Sequence, residues 1–352
     1  MSKVFGCDAH KRYSVFDSMN ERGQAGLPVR VENERGLFRR YLNGLPAGSR
    51  IAIESVGNWY WMIEEMERAG HVPRLAHAAK AKLMMGQINK TDKLDARGLA
   101  LLLHNGTLPS VWIPPGELRD QRELPRMRMG LVRVRTMLKN RIHATLAKYA
   151  LDIPEVSDIF GATGRMLMKK RLEELPPFTR QSVETQLELL DQVEDHILGC
   201  EKQIQEVVQA SPEMKLLMTL PGVGQILAVV MALEIGEVGR FPGPDHLASY
   251  AGTVPRVKSS GGRTFLGKVR PDVNRYLKWA LIEAANVVVL NQGRWPNRHV
   301  VQLYGRIRQR RGHAKAIVAV GRHLAEAAYW ILRRNEPYKE PHGQKPISSS
   351  QE

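Results

Sequence analysis

The chain has 352 residues, 43% hydrophobic and 25% charged, and its 52 Lys and Arg outnumber 36 Asp and Glu for a formal net charge of +16. That length provides for two or three domains with their own cores, and the positive surplus points to a polyanion, above all nucleic acid, rather than to a membrane surface. Cys7 and Cys200 make neither a zinc pattern nor a disulfide framework, and the longest apolar run, ILAVVMAL at 226–233, is too short for a bilayer, so a cytoplasmic protein without membrane contact is expected.

The first hundred residues read as mixed α/β. KVFGCD (3–8) and YSVFDSM (13–19) are short β-like runs joined by a polar turn, and LPVRVE (27–32) is a third strand. Asn33 is placed to cap the helix ERGLFRRYLNGL. RIAIES (50–55) is an apolar strand, NWYWMIEEMERAG a helix ended by Gly70, and HVPRLAH (71–77) the last strand, with helical pattern through His104. This order predicts one mixed sheet with helices packed on it.

NGTLPSVWIPP (105–115) reads as a linker or surface crossing. In the helix beyond it, Leu131, Val134, Leu138, Ile142, Thr145 and Tyr149 follow helical spacing, with Arg133, Arg135, Lys139 and Arg141 between them. Pro125 just upstream predicts a helix start or a kink. Leu190, Val193, Ile197, Cys200, Ile204 and Val207 then form a heptad seam, which fits either packing within the chain, against 131–149, or self-association. LMTLPGVGQILAVVMALEIGEV (217–238) predicts a helix, a tight turn and a helix. There Gly222 and Gly224 would let backbone N–H groups approach a phosphate oxygen, as in a helix-hairpin-helix. The Pro- and Ser-rich tail, 336–352, is expected to be disordered. The expected division is 1–108, 109–210 as a basic helical and coiled-coil segment, 211–335 as a mainly α-helical domain, and the tail.

Four carboxylates stand at element ends. Asp8 ends the first strand, Glu54 closes RIAIE, and Asp92 and Asp95 lie in NKTDKLDARG (89–98), at the start of the helix after the last strand. Like charges that close on a helix face cost roughly 0.2–0.5 kcal/mol. One reading makes Asp92 the helix N-cap and Asp95 a first-turn acid facing the positive end of the dipole. The coincidence of four favours convergence on one sheet edge around a counter-cation. Oxygen ligands suit Mg²⁺ or Mn²⁺, and two such ions would stabilise the attacking and leaving oxygens of a phosphoryl transfer.

This arrangement of strands, acids and a D-x-x-D helix resembles the RuvC/RNase H nuclease fold. GCDAHK, AIESVGNWY and NKTDKLDARGLA resemble the DEDD domain of IS110-family transposases, in particular the IS1111 group. The stretch beginning TLPGVGQILAVVMALEIGEVGRF resembles the IS116/IS110/IS902 transposase domain, so the resemblance spans about 3 to 335 in one motif order. It implies a RuvC-like catalytic domain over 1–108 and a serine-bearing transposase domain over 211–335. Where a basic glycine turn is expected ahead of NRYL, this chain has RPDV (270–273).

VPRVKSSGGRTFLG (254–267) sets Ser259 and Ser260 before Gly261 and Gly262, among Arg256, Lys258, Arg263 and Lys268. From the residues alone this is a Ser-Gly turn in a basic DNA-contacting loop, or a nucleophile that an arginine or a metal would have to activate, since no His–Asp partner is near. The resemblance implies the second. The family's serine followed by glycine falls on Ser260, which would form a covalent phosphoserine link to DNA, with Asp8, Glu54, Asp92 and Asp95 binding Mg²⁺ from another subunit of a homo-dimer or homo-tetramer. It also implies a structured non-coding guide RNA that pairs with element and target DNA. The basic helix around 126–148, and Arg308, Arg310 and Arg311 in GRIRQRRGHAK (305–315), suit such backbones. Aromatic residues make up only 6%, which favours recognition by shape and phosphates over stacking. The expectation is a bacterial transposase or recombinase, acting at the nucleoid. Its rivals are a RuvC-like nuclease or junction resolvase that uses water, and a non-catalytic nucleic-acid binder.

Overall fold

The computed structural model describes residues 3–86, 91–269 and 272–341, in two units, Met1–Gly116 and Glu117–Glu352. In the first, β1 (Val4–Ala9) pairs antiparallel with β2 (Tyr13–Met19), and β2 antiparallel with β3 (Val29–Glu32). After α1 (Arg35–Asn43), β4 (Arg50–Glu54) returns parallel to β1. Following α2 (Trp59–Arg68), β5 (Val72–Ala76) adds parallel to β4. α3 (Ala78–Met85), α4 (Asp92–His104) and the short antiparallel β6 (Ser110–Val111) complete a sheet of order β3-β2-β1-β4-β5-β6. The mixed sheet fits a DEDD, RuvC-like domain. The stretch 105–115, expected to be a linker or surface crossing, supplies the edge strand β6.

Both faces of this sheet are covered, which is why β1 is buried at every position. Phe5 and Cys7 face α1 and α2 with Phe16, Phe38, Ile51 and Met62, while Val4 faces α3 and α4 with Ala52, Ala81 and Leu99. Gly6 is where α4 touches β1: a Cβ there would lie 2.0 Å from Ala96 O and 2.6 Å from Ala100 N. Asp17, buried on β2, accepts from Arg97 Nε at 2.9 Å and ties α4 to the sheet. Asn33 does not cap α1. Glu34 holds that position without a side-chain bond, and Asn33 instead accepts from Ser14 Oγ and donates to His10 O.

α5 (Gly116–Gln121), which starts at the unit boundary, leads in the second unit into α6 (Glu123–Lys148), then α7 (Ala162–Leu172) and α8 (Pro177–Ala210). Pro125 falls in the first turn of α6, where a missing N–H costs nothing, so it marks the helix start, one of the two expectations. The α8 seam is spent inside the chain. Val183, Leu190, Ile197, Cys200, Ile204 and Val208 are buried, and Arg128–Glu201 and Lys139–Glu194 ion pairs show α6 running antiparallel to α8. Val208 rather than Val207 ends the seam, and on α6 Val134 is exposed while Leu138, Ile142 and Leu146 are buried.

α9 (Pro212–Leu217), α10 (Gln225–Ile235), a 3₁₀ turn at Val238–Arg240 and α11 (Pro244–Tyr250) precede a lone hairpin, β7 (Pro255–Ser260) with β8 (Arg263–Val269). α12 (Arg275–Leu290), α13 (His299–Arg311) and α14 (His313–Arg334) follow, and α14 runs through a core with Leu247, Leu277, Leu281 and Ala284. Arg270 and Pro271 of RPDV lie outside the described residues. Glu234, 1% exposed, accepts from Arg126 Nε at 2.9 Å and from Asn274 Nδ2 at 2.8 Å. Asn274 also caps α12, so this buried knot anchors the chain just past β8. The tail expected to be disordered from 336 is packed as far as 341. Tyr338 N donates to Thr219 Oγ1, and Glu340 accepts from His299 N; 342–352 lie outside the described residues. Among the described residues no helix is long and apolar enough to cross a membrane.

Candidate active site

Because β1 and β4 run parallel, their C-terminal ends share one edge of the sheet, and Asp8 and Glu54 sit there. The contact of α4 with Gly6 delivers the N-terminus of α4 to the same edge. Thr91, not Asp92, is its N-cap, accepting from Leu94 N at 3.3 Å. That leaves Asp92 and Asp95 as first-turn acids at the positive end of the helix. Asp8, Glu54 and Asp95 line one cavity of about 200 Å³ with His10, Lys82 and Met85. Asn89 and Lys90 of the motif lie outside the described residues.

His10 joins the acids, and a search for carboxylates alone misses it. Its Nε2 lies 3.1 Å from Asp8 Oδ2 and 3.3 Å from Asp92 Oδ2, and single donor atoms of Asp8, His10 and Asp92 all fall within 4.8 Å of one another. The signal was the D-x-H spacing of Asp8 and His10, since alternate residues at a strand end share a face. Tyr13 OH donates to Asp92 Oδ2 at 2.9 Å, the Arg30 guanidinium lies 3.9 Å over the Tyr13 ring, and the His10 and Tyr13 rings are 4.8 Å apart.

The electrostatics fit a divalent cation. Burial raises the pKa of Asp8 above the ordinary carboxylate range; His10 opposes this, while Asp95 and Asp92 add to it. The bond to Asp92 raises the Tyr13 hydroxyl. Asp8 Oδ2 and His10 Nε2 are both buried without a hydrogen-bond partner among the described residues. Buried donors and acceptors in folded proteins are almost always satisfied, and here a buried carboxylate oxygen and an imidazole nitrogen meet at 3.1 Å without an aligned hydrogen bond, a donor set that fits a divalent cation.

The candidate serine belongs to the second unit. Gly261 and Gly262 have φ of 56° and 73° and form the two-residue tip of the β7–β8 hairpin, where two positive φ values demand glycine. What composition suggests is a loop is therefore a β-arm. Ser260 is exposed and stands directly across from Arg263, while Ser259 pairs with Thr264, its Oγ 3.4 Å from Thr264 Oγ1. Successive strand residues face opposite ways, so the two serines occupy different faces. Val257 and Phe265 are 60% and 62% exposed, and so is most of the arm.

The expected backbone contacts divide. Arg133, Arg141, Arg256, Arg263, Lys268, Arg308, Arg310 and Arg311 are exposed, and Arg135 is half-buried. Lys139 is engaged by Glu194 at 3.0 Å, and the side chain of Lys258 lies outside the described residues. Gly222, at φ 79°, answers to packing: a Cβ there would meet Ala284 O at 2.2 Å. Over Gly224, at the uncapped start of α10, there is open space.

Residues 5–151 match a family model for the DEDD transposases of IS110, described as Transposase, and 214–300 match the Transposase IS116/IS110/IS902 family. A probable family 20 transposase of Pseudomonas aeruginosa is 27% identical over 88% of this chain and 91% of its own length. The transposase for insertion sequence element IS1111A of Coxiella burnetii is 25% identical over 96% of this chain and 91% of its own. A pilin gene-inverting protein of Moraxella bovis is 26% identical over 82% and 81%.

Proposed function

The chain belongs to the IS110 family of transposases, enzymes that cut and rejoin DNA, and from that premise we propose that it moves an insertion sequence through a serine–DNA intermediate. In this reading Asp8, Glu54, Asp92 and Asp95 hold Mg²⁺, and Ser260 is the nucleophile. The observation that carries it is the pair of buried atoms, Asp8 Oδ2 and His10 Nε2, that meet at 3.1 Å without an aligned hydrogen bond, on the edge where Glu54 and Asp95 converge. The ion, when bound, supplies positive charge to the phosphoryl oxygens of the transition state.

The chain's own residues do the rest. The exposed arm carries the Ser260 hydroxyl to the scissile phosphate, and Arg263 across the strand pair favours loss of its proton. As the Ser260 Oγ–P bond forms, the P–O bond to the departing strand breaks; the serine proton passes to solvent water and the departing oxygen takes one up from water, so charge and protons balance. The phosphoserine keeps the ester energy, so a hydroxyl of a second strand can attack it, reform the diester and free Ser260. Water at the acidic site would cut without rejoining. The name of the Moraxella relative, a pilin gene-inverting protein, supports joining, because inversion reseals every strand it opens.

Exposed Arg133, Arg141, Arg308, Arg310 and Arg311 suit the backbone of a guide RNA or of DNA, and the turn before α10 suits a phosphate in the manner of a helix-hairpin-helix. Serine and acids from different copies would make assembly into a dimer or tetramer part of the mechanism. Since α6 occupies the α8 seam, that assembly uses other surfaces. A strand-transfer assay on element-end DNA with the element's RNA tests the reading. Ser260→Ala and Asp8→Asn should each abolish both cleavage and rejoining. Continued cutting by Ser260→Ala would make the protein a RuvC-like hydrolase.

A further inference from the structure

We propose that His10 is itself a ligand, so that the ion between Asp8 and Asp92 is held by one imidazole nitrogen together with carboxylate oxygens. This rests on reading the acids as ion-holding and goes beyond it, because an all-oxygen shell has no use for a histidine in the middle.

The distances are those of a coordination shell. Two neighbouring ligands, each about 2.1 Å from an octahedral ion, are roughly 3 Å apart. Nε2 stands 3.1 Å from Asp8 Oδ2 and 3.3 Å from Asp92 Oδ2, within ion-pair reach of both carboxylates but without the alignment of a well-formed hydrogen bond to either. Asp8 is 8% exposed, and its unpartnered Oδ2 faces that nitrogen. A histidine serving only as a counter-charge would be expected to aim a ring N–H along a line to one carboxylate oxygen.

His10 is also held with unusual care for a residue in a turn. Its N–H donates to Tyr13 O at 2.9 Å, and its carbonyl accepts from Asn33 Nδ2 at 2.6 Å and Asn58 Nδ2 at 2.8 Å. These partners come from the β2 start, the residues before α1 and the residue before α2. The Tyr13 ring packs against the imidazole, and its hydroxyl orients Asp92. Groups that fix a ligand's orientation are what metal sites keep outside their ligands. The consequence is selectivity: Mg²⁺ prefers oxygen and dehydrates reluctantly, whereas an imidazole in the shell moves preference toward transition ions.

Mn²⁺ is the probe, added to the full-length protein and read by pulsed electron paramagnetic resonance. Bound Mn²⁺ should show a nitrogen coupling that changes to the ¹⁵N pattern when only the histidines are ¹⁵N-labelled. His10→Ala should remove the coupling and weaken Mn²⁺ at least tenfold, the lower end of what losing even an outer partner costs. Mg²⁺, measured by competition, should weaken less. A wild-type spectrum without histidine coupling overturns the ligand role whatever the variants do to folding, and a coupling that persists in His10→Ala assigns it to another of the 11 histidines and overturns the role of His10 as well. Mn²⁺ that is bound, and lost in Asp8→Asn, but shows no histidine coupling overturns the ligand role and leaves the ion site standing. Mn²⁺ binding indifferent to Asp8→Asn, or no binding, overturns the ion site as well.

Discussion

Gly6→Ala asks whether the acids depend on the close approach of α4 to β1. The new methyl would start 2.0 Å from Ala96 O, 2.6 Å from Ala100 N and 3.0 Å from Leu99 Cβ. Since Cβ atoms essentially never come within 3.0 Å of another group, α4 must retreat by about 1 Å. Two of the three obstacles are backbone, which cannot escape by changing rotamer, so the cost belongs near the top of the overpacking range, about 3 kcal/mol. Ala96 lies one turn beyond Asp92, so the retreat carries Asp92 and Asp95 away from Asp8. Metal geometry tolerates only about 0.2 Å, and a 1 Å misplacement costs on the order of 100-fold in rate. Calorimetric unfolding, Mn²⁺ titration and DNA cleavage on the same preparation measure all three effects. Gly48→Ala is the control: its φ of 71° adds strain of about 1 kcal/mol, with nothing within 4 Å of the new Cβ, so ion binding should not change. Gly6→Ala with wild-type ion affinity and a stability loss under about 0.5 kcal/mol would refute the reasoning.

Tyr13→Phe removes the hydrogen bond to Asp92 and should weaken Mn²⁺ about tenfold while costing about 1 kcal/mol or less, read by titration and by denaturant melt. Glu65, fully buried on α2, is held below the ordinary carboxylate range chiefly by Arg39, with Arg35 and Arg68 contributing. Its stabilisation is therefore present above that range and lost as pH falls through its depressed pKa. Glu65→Gln should cost about 2 kcal/mol at pH 7, and the gap from wild type should close in acid melts. His323 is pushed below the usual histidine pKa by burial and then by His299. The unfolded chain then takes up a proton that the fold resists, so stability should fall as pH drops below about 6.5, and His323→Gln should flatten melting curves between pH 7.5 and 5.5.

The first unit is legible where the pattern is physical. Alternating apolar runs mark every strand of the sheet except the two-residue β6, whose stretch reads as a linker because Pro, Gly and Thr surround it. All four acids can be picked out at element ends, but His10 cannot be when only oxygen ligands are sought. The cap moves from Asp92 to Thr91 because both types cap well and one residue's shift leaves the pattern unchanged. A strict heptad places Val207 in the α8 seam, whereas a straight helix drifts from the 3.5 repeat, and burial passes to Val208. The hairpin is hidden by its polar strands, although two glycines between them are the signature of a two-residue turn. Pro-rich composition suggests disorder after 336, but Tyr338 packs on the core and makes three hydrogen-bond or ring contacts there with Thr219 and His323.

The most direct test of the account is covalent trapping. Purified protein, the element's RNA and labelled junction DNA are incubated with Mg²⁺ and then denatured. A protein–DNA adduct that survives, that is lost in Ser260→Ala and Asp92→Ala, and that persists in Ser259→Ala is the predicted result. Cleaved DNA with no adduct, unaffected by either serine substitution, would contradict it.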